Sequence, residues 1–348
     1  MAQKKKVRLS DIADKLNIST VTVSKALADK EGVGDELREK IKQVASKMGY
    51  RIKSTSQFQG STFQTAGQNT GTGNIGILIP SRFFSPNVSY YWHIFNALSG
   101  ELMRRNFYSI MEIISDDDEN NLILPKIVKD KKVDGLIILG QVNISYIERI
   151  KNSFSNLILL DFYTKELQTD SVSNDDYYCS YLMTDYVISQ GHKKLRFVGN
   201  FGSTTSISDR YMGFEKAMLE HGLSTKTSEI INDRNSNGAS LKEKIQLPSA
   251  KEMPTAFICN CDETAALVIS ELTKKGYRVP EDISVTGFDN YLPLNNCPVE
   301  LTTVFIKPED TAKTAAELII SKIKGLDYIQ GRHLVSGSLV IRDSVKSL

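Results

Sequence analysis

The sequence predicts two folds in one chain: a small all-α unit over the first fifty residues and a two-lobed α/β domain over most of the rest. Three observations predict it. Residues 1–53 hold three short helical patterns in succession. From Asn74 onward, short apolar runs alternate with helical patterns, which implies parallel, doubly wound sheets. The charge also changes sign along the chain: residues 1–53 carry 13 Lys/Arg and 7 Asp/Glu, a balance of +6, whereas the remainder carries 30 and 34, a balance of −4. Between the two lies KSTSQFQGSTFQTAGQNTGTG (53–73), with no charge after Lys53 until Arg82. Such a segment buries too little to build a core and reads as a linker.

The length of 348 residues suits a small domain plus a large one. No apolar run approaches the ~18 residues of a membrane span. The start, MAQKKKVRLSD, has basic residues but no apolar stretch after them, so it does not read as a secretory signal. Four cysteines (Cys179, Cys259, Cys261, Cys297) in so long a chain suggest a reducing, cytoplasmic setting. A basic small unit on an acidic large one suggests a polyanionic partner for the small unit.

Within LSDIADKLNISTVTVSKAL, Ser10 can cap a first helix and Asp11 complements its dipole. Ile12, Ala13 and Leu16 share one face. Asn17-Ile18 forms a turn, and Ser19 can cap a second helix in which Val23, Ala26 and Leu27 point inward. A third helix carries Leu37, Ile41, Val44, Ala45 and Met48 as its buried stripe and ends at Gly49. Three short helices with a tight turn between the first two make a helix-turn-helix unit, whose second helix enters the DNA major groove. Thr20 and Val21 can touch thymine methyls, Thr22 a phosphate or base, and Lys25 a guanine or phosphate. Ser10, Ser19 and Ser24 complete the expected set of DNA contacts. The competing reading is a helical bundle that contacts proteins.

VRLSDIADKLNISTVTVSKALADKEGVGDELREKIKQVASKMGY resembles the DNA-binding headpiece of the LacI/GalR (lactose-repressor) family along its whole length. The D-I-A, the V-S-K-A-L and the closing L-R-E-K-I…M-G-Y carry the likeness. Gly34 stands where the family usually caps its third helix with Ser. The resemblance places Thr20, Val21 and Lys25 at base-reading positions. It continues through VDGLIILG, the block from Val172 to Asn200, DRYMGF, FICNCDETA, ISVTGFDN and LTTVFIKPEDTAKTAAELII. It implies a two-lobed, periplasmic-binding-protein-like (type I) effector domain whose chain crosses three times between lobes. The expected layout is a headpiece at 1–52, a hinge or linker at 53–73 and a core at 74–348. The N-lobe would span about 74–162 and 291–324, and the C-lobe about 175–289 and 328–348. Crossings are expected near 162–175, 290–303 and 325–329.

Ligands of such sheets bind beyond the carboxyl ends of the strands. Arg210 in DRYMGF and Asp289 in GFDN both fall where a cleft should lie, and the resemblance makes both effector contacts. An arginine fork and a carboxylate can together bond several hydroxyls; a structural ion pair is the alternative. Asp262 matches the family's N-D dipeptide, but Cys261 replaces its Asn. Tyr90, Tyr91 and Trp92 can offer a flat face to a sugar ring, or Trp92 and Phe95 can form the inner face of a helix. Gln141 is a further polar contact.

Other signals fail. Gly71-Thr-Gly73-Asn-Ile-Gly76 spells G-x-G-x-x-G but precedes a strand rather than opening a helix, so it is not a dinucleotide site. Cys259-Asn-Cys261 lacks a second pair for a metal, His192 reads as structural, and no cofactor is expected. The family's hinge helix has a proline, an Ala-Arg pair and a leucine that wedges into the minor groove. All are missing from Tyr50–Gln59, so the sequence predicts a mobile linker and weaker operator bending. The resulting expectation is a cytoplasmic repressor of carbohydrate-utilisation genes. It would act as a homodimer on near-palindromic double-stranded DNA, controlled by a sugar-like effector, with no membrane contact. The C-terminus, DSVKSL, has no heptad tail that would build a tetramer. The rival is a sugar-binding protein or enzyme with an appended helical module.

Overall fold

A computed structural model describes residues 9–27, 33–48, 71–86, 89–224, 230–236, 238–239, 245–292 and 297–348. The chain divides into two compact units, with the division between Asn69 and Thr70. The linker expectation for 53–73 lies outside the described residues except at its last three.

The first unit holds α1 (Leu9–Leu16), α2 (Thr20–Leu27) and α3 (Asp35–Met48). Ile12, Ala13, Val23, Ala26, Leu27, Val33, Ile41 and Ala45 form its core. Leu9 is already helical, so Ser10 sits inside α1 and is not its cap. The turn closes because Asn17 adopts a left-handed conformation (φ 53°), which Asn tolerates better than most residues. Its N–H donates to the Asp14 carbonyl and that of Ile18 to the Ala13 carbonyl, a Schellman ending that satisfies two terminal carbonyls of α1.

The second unit begins where the amides of Thr72 and Gly73 donate to the Asp134 carboxylate, at 2.6 and 2.7 Å. The glycine-rich run is thus tied to its own protein. It leads into β1 (Asn74–Pro80), an apolar run buried because it has neighbours on both sides. In chain order follow α4 (Tyr90–Arg104), β2 (Tyr108–Ile114), α5 (Asp116–Asn120), α6 (Lys126–Lys129), β3 (Gly135–Leu139), α7 (Ile144–Lys151), β4 (Leu157–Leu160) and β5 (Ser171–Asn174). The C-lobe contributes α8 (Asp176–Ser189), β6 (Leu195–Val198), α9 (Thr205–Glu220), β7 (Ala256–Cys259), α10 (Asp262–Lys274) and β8 (Ser284–Thr286). β9 (Thr303–Phe305), α11 (Pro308–Lys324), β10 (Arg332–Val335) and β11 (Ser338–Val340) complete the chain.

The N-lobe sheet has the order β10-β5-β4-β3-β1-β2, and every pair in it is parallel. The C-lobe sheet is β6-β7-β8, also parallel, with single bridges from Val198 to Ile231 and from Thr286 to Thr302. Gly213 lets α9 lie against α8: a Cβ there would stand 2.1 Å from the Tyr177 carbonyl oxygen.

This topology corrects the expected lobe boundaries. β10 pairs with β5 in the N-lobe sheet, Arg332 opposite Ser171, so residues 332–335 do not belong to the C-lobe. Thr302 bridges the C-lobe strand β8, so the N-lobe does not resume at 291. The chain crosses between Asn174 and Asp176, at the end of the expected 162–175, and then, later than expected, between Thr303 and Lys307 and between Val335 and Ser338. The last two crossings are zipped together, because β9 and β11 pair antiparallel. α9 starts at Thr205, where the Thr204 side chain accepts from the Ile207 amide and caps the helix.

Candidate DNA-reading helix and effector cleft

The candidate reading helix of the first unit is α2. Ser19 accepts from the Thr22 amide at 3.0 Å and caps it. The Ser19 and Thr22 hydroxyls also bond each other at 2.8 Å, which half-buries Thr22 and fixes its rotamer. With Val23, Ala26 and Leu27 turned to the core, Thr20, Val21, Ser24 and Lys25 are left in solvent. Val21 is 62 % exposed, an apolar side chain that nothing in its own unit covers. Ser10 is exposed as well, but on α1.

The cleft of the second unit is built around Arg210, in the second turn of α9 and 5 % exposed. Its Nε donates to Asp176 at 2.7 Å and a terminal nitrogen donates to Asp289 at 3.0 Å. Another terminal nitrogen donates to the Asn260 carbonyl. The guanidinium lies 3.7 Å over the Phe288 ring. Burial works against its charge, but Asp289, Asp176 and Asp161 hold it firmly protonated. The carboxylates respond in the opposite sense. Burial pushes both Asp161 and Asp176 well above the ordinary carboxylate range, and Arg210 only partly offsets this.

Tyr91 belongs to this group, since its hydroxyl donates to Asp161 at 2.7 Å. Tyr90 packs edge-on against Tyr91 and Tyr291. Its hydroxyl is buried beside the Asn174 side chain, and neither it nor the Asn174 side-chain oxygen makes a well-formed hydrogen bond. Trp92 does not join them; it stacks on Phe95, one turn along α4, and meets Phe84 edge-on. Gln141 reaches across the lobes, where its side-chain oxygen accepts from the Thr205 amide at the start of α9, at 2.8 Å. Beside it, Arg82, Glu119, Gln141, Asn143, Ser203 and Ser236 border a polar pocket of about 120 Å³.

Asp262 and Cys261 lie behind the cleft. Asp262 accepts from the Thr303 hydroxyl at 2.6 Å and the Tyr291 amide at 2.7 Å. Burial pushes its carboxyl up to about 7. It therefore ties β9 and the post-β8 loop to α10. Cys261 precedes α10, with its sulfur 3.2 Å from the Thr264 hydroxyl and 3.6 Å from Arg234. Burial raises its thiol to about 11, so it is a neutral packing group. No cluster of three metal-ligating side chains occurs among the described residues. His192 is fully buried, with Thr255 on one ring nitrogen and the Lys346 carbonyl on the other.

Several cleft residues were not among those expected. Asp161 follows β4 with φ 69°, and Asp176 opens α8 just after the crossing. Both stand at carboxyl ends of strands, the position from which Arg210 and Asp289 were inferred. Phe83 enters because Gly140 (φ 93°) leaves room for it and Tyr91; a Cβ there would meet the Phe83 ring at 3.0 Å. A latch also spans the lobes. Arg332 on β10 bonds Asp209 on α9 at 2.7 Å and covers the Tyr163 ring at 3.8 Å. The Tyr163 hydroxyl donates to the same Asp209 at 2.8 Å.

A capped reading helix on one unit and an arginine-centred interlobe cleft on the other set the terms for comparison with known proteins. Residues 8–52 match the profile described as "Bacterial regulatory proteins, lacI family", and residues 184–345 that of a periplasmic binding protein-like domain. The chain belongs to the LacI family. The HTH-type transcriptional repressor PurR of Haemophilus influenzae is 26 % identical over 345 residues, 98 % of this chain and 99 % of that one. A transcriptional regulator CelR–cellobiose complex superposes with a TM-score of 0.67 at 18 % identity, covering 97 % of this chain and 100 % of that one. The lac repressor dimer bound to operator and the anti-inducer ONPF superposes at 0.64 and 18 %, covering 98 % and 100 %. As a LacI-family protein the chain is a DNA-binding regulator and not an enzyme. No helix among the described residues is long and apolar enough to cross a membrane.

Proposed function

We propose that the protein is a cytoplasmic transcriptional repressor that binds a near-palindromic operator as a homodimer and answers to a small, sugar-like effector held between its lobes. The observation that carries this reading is the Arg210–Asp289 pair, buried at the junction of the lobes within reach of Tyr90 and Tyr91. A ligand there would exchange hydrogen bonds with a fork and a carboxylate while stacking on flat rings. Cellobiose in the CelR complex supports the carbohydrate reading, and repression by PurR and by the lac repressor supports the sign of regulation. The lac repressor's dimer on its operator supports the assembly.

Effector control follows from differential binding. A ligand that prefers one arrangement of the lobes shifts the population of DNA-competent dimers by that preference and no more. The interlobe contacts Gln141–Thr205 and Arg332–Asp209 are the groups such a shift would make or break.

Selection of duplexes from a random DNA pool by the full-length protein tests the reading. A two-fold symmetric enriched site is the expected result, because two headpieces in one dimer read two half-sites. Enrichment of a single half-site would overturn the dimer. An effector response that survives Arg210→Ala would overturn the location of the pocket.

A further inference from the structure

We propose that the effector carries a cationic amine, so that its class is an amino sugar or another polyhydroxylated amine and not a neutral sugar. The proposal rests on the reading of the interlobe cleft as the effector site. It begins from the charge. Three carboxylates, those of Asp161, Asp176 and Asp289, interact with one guanidinium, that of Arg210. Arg210 is the one cation among the largest influences on Asp161 and Asp176. Two surplus negative charges in a buried site are costly unless they take up protons or meet a cation.

The second observation concerns unfilled hydrogen-bond capacity. Asn174 is 1 % exposed, and its amide nitrogen donates to Asp161 at 3.3 Å. Its oxygen has no donor in hydrogen-bond geometry, and the Tyr90 hydroxyl has the Asn174 side chain beside it but no well-formed hydrogen bond. Arg210 engages one oxygen of Asp176 and one of Asp289, which leaves a second oxygen on each. Apart from the N–H groups that Arg210 does not spend on Asp176, Asn260 and Asp289, what the cleft offers is acceptors: carboxylate oxygens, an amide oxygen and a phenol that can serve either way. An ammonium group supplies three donors and one of the two missing positive charges together. A neutral sugar supplies donors but leaves the surplus charge to be met by protons on the carboxylates.

The rings agree. Phe83, Tyr90, Tyr91 and Tyr291 form a contiguous aromatic group at this site, with successive centroids 5.5 to 6.0 Å apart. Their faces attract a cation as readily as they stack on a sugar. The raised carboxyl groups of Asp161 and Asp176 fit the same account, because an ammonium would take the place of the proton that burial makes them hold.

The test uses the full-length protein and a small-molecule extract of its own bacterium, divided at neutral pH on a sulfonate cation-exchange resin. Thermal shift and operator release are read for the retained and the unretained fraction. The expected result is activity in the retained fraction, weakened about tenfold by Asp161→Asn, the scale of one lost charge-assisted hydrogen bond. Circular dichroism of that near-isosteric variant separates misfolding from lost affinity. Activity confined to the unretained fraction and abolished by Arg210→Ala would overturn the amine and leave the cleft in place. Activity indifferent to both Arg210→Ala and Asp289→Asn would overturn the cleft itself. Inactivity of both fractions would overturn the two together.

Discussion

The proposed reading helix and the proposed effector cleft treat their candidate side chains in opposite ways. On α2, Thr20, Val21, Ser24 and Lys25 stand in solvent, and the helix is held by a cap and a small core that do not involve them. In the cleft, Arg210 is anchored to Asp176, Asn260 and Asp289 at once. A surface that must slide along DNA and sample many sites gains from contacts that are made only there. A cleft that must report occupancy gains from being strained without its ligand, because the ligand then changes what the lobes do. The difference predicts that mutations in α2 alter binding without altering stability, and that mutations in the cleft alter both.

The largest effect should come from Arg210→Ala. It leaves Asp176 and Asp289 buried without their cation, a loss of about 3–5 kcal/mol for a broken buried pair, reduced where the carboxylates take up protons. Denaturant unfolding should show the core weakened and the effector response gone, while duplex selection still finds the wild-type site. Lys25→Ala should weaken binding or relax base choice by about 1–3 kcal/mol. An unchanged melting temperature would accompany it, and a large drop in that temperature would break the comparison.

Asp262→Asn sharpens the contrast through pH. An unfolded Asp loses its proton near pH 4, whereas burial holds the folded Asp262 carboxyl protonated up to about 7. The folded chain thus binds the proton more tightly between those values. Asp262 contributes most below about pH 4, and its contribution is lost as pH rises through 7. The variant should flatten the pH dependence of stability in that window, by about 1.4 kcal/mol per pH unit. Unfolding midpoints measured from pH 4.5 to 8 check it, and an unchanged slope would show that Asp262 titrates normally. Gly34→Ser should have the smallest effect. The Gly34 carbonyl accepts from the Arg38 amide at the start of α3, and a Cβ at Gly34 would meet nothing within 4 Å. A serine cap should add a few tenths of a kcal/mol to the headpiece and leave operator choice alone.

The headpiece is more legible in the sequence than the cleft, for a physical reason. Helical spacing separates Val23, Ala26 and Leu27 from Thr20, Val21 and Lys25 within eight residues, so one local pattern fixes which side is exposed. β1 and β2 are equally plain, because the apolar runs NIGILIP (74–80) and YSIMEII (108–114) bounded by turns specify strands, the first buried inside the sheet and the second half-exposed at its edge. β5 is not, since SVSN reads as a loop. It is a strand because β4 and β10 flank it, and it buries two serines and an asparagine. That pairing joins residues 171 and 332, which no local pattern connects, and without it the third crossing is misplaced. Arg210 and Asp289 stand out because each follows a recognisable strand or motif. Asp161 and Asp176 carry the same signal, and the charge they add becomes visible only when four chain segments converge. Trp92 shows the reverse: a lone tryptophan invites a ligand role, but its neighbour along α4 occupies its face.

One further consequence follows from Asp134. Its carboxylate grips the amides of Thr72 and Gly73, and the chain then runs straight into β1, which lies between β3 and β2. A pull arriving along the backbone from the N-terminal side is therefore delivered in shear, along the ladders of two neighbouring strands, and not by peeling an edge. Seven residue pairs on one side and four on the other resist it together. The core is mechanically grounded at the point where the chain enters it, so tension from that direction acts on the N-lobe as a whole.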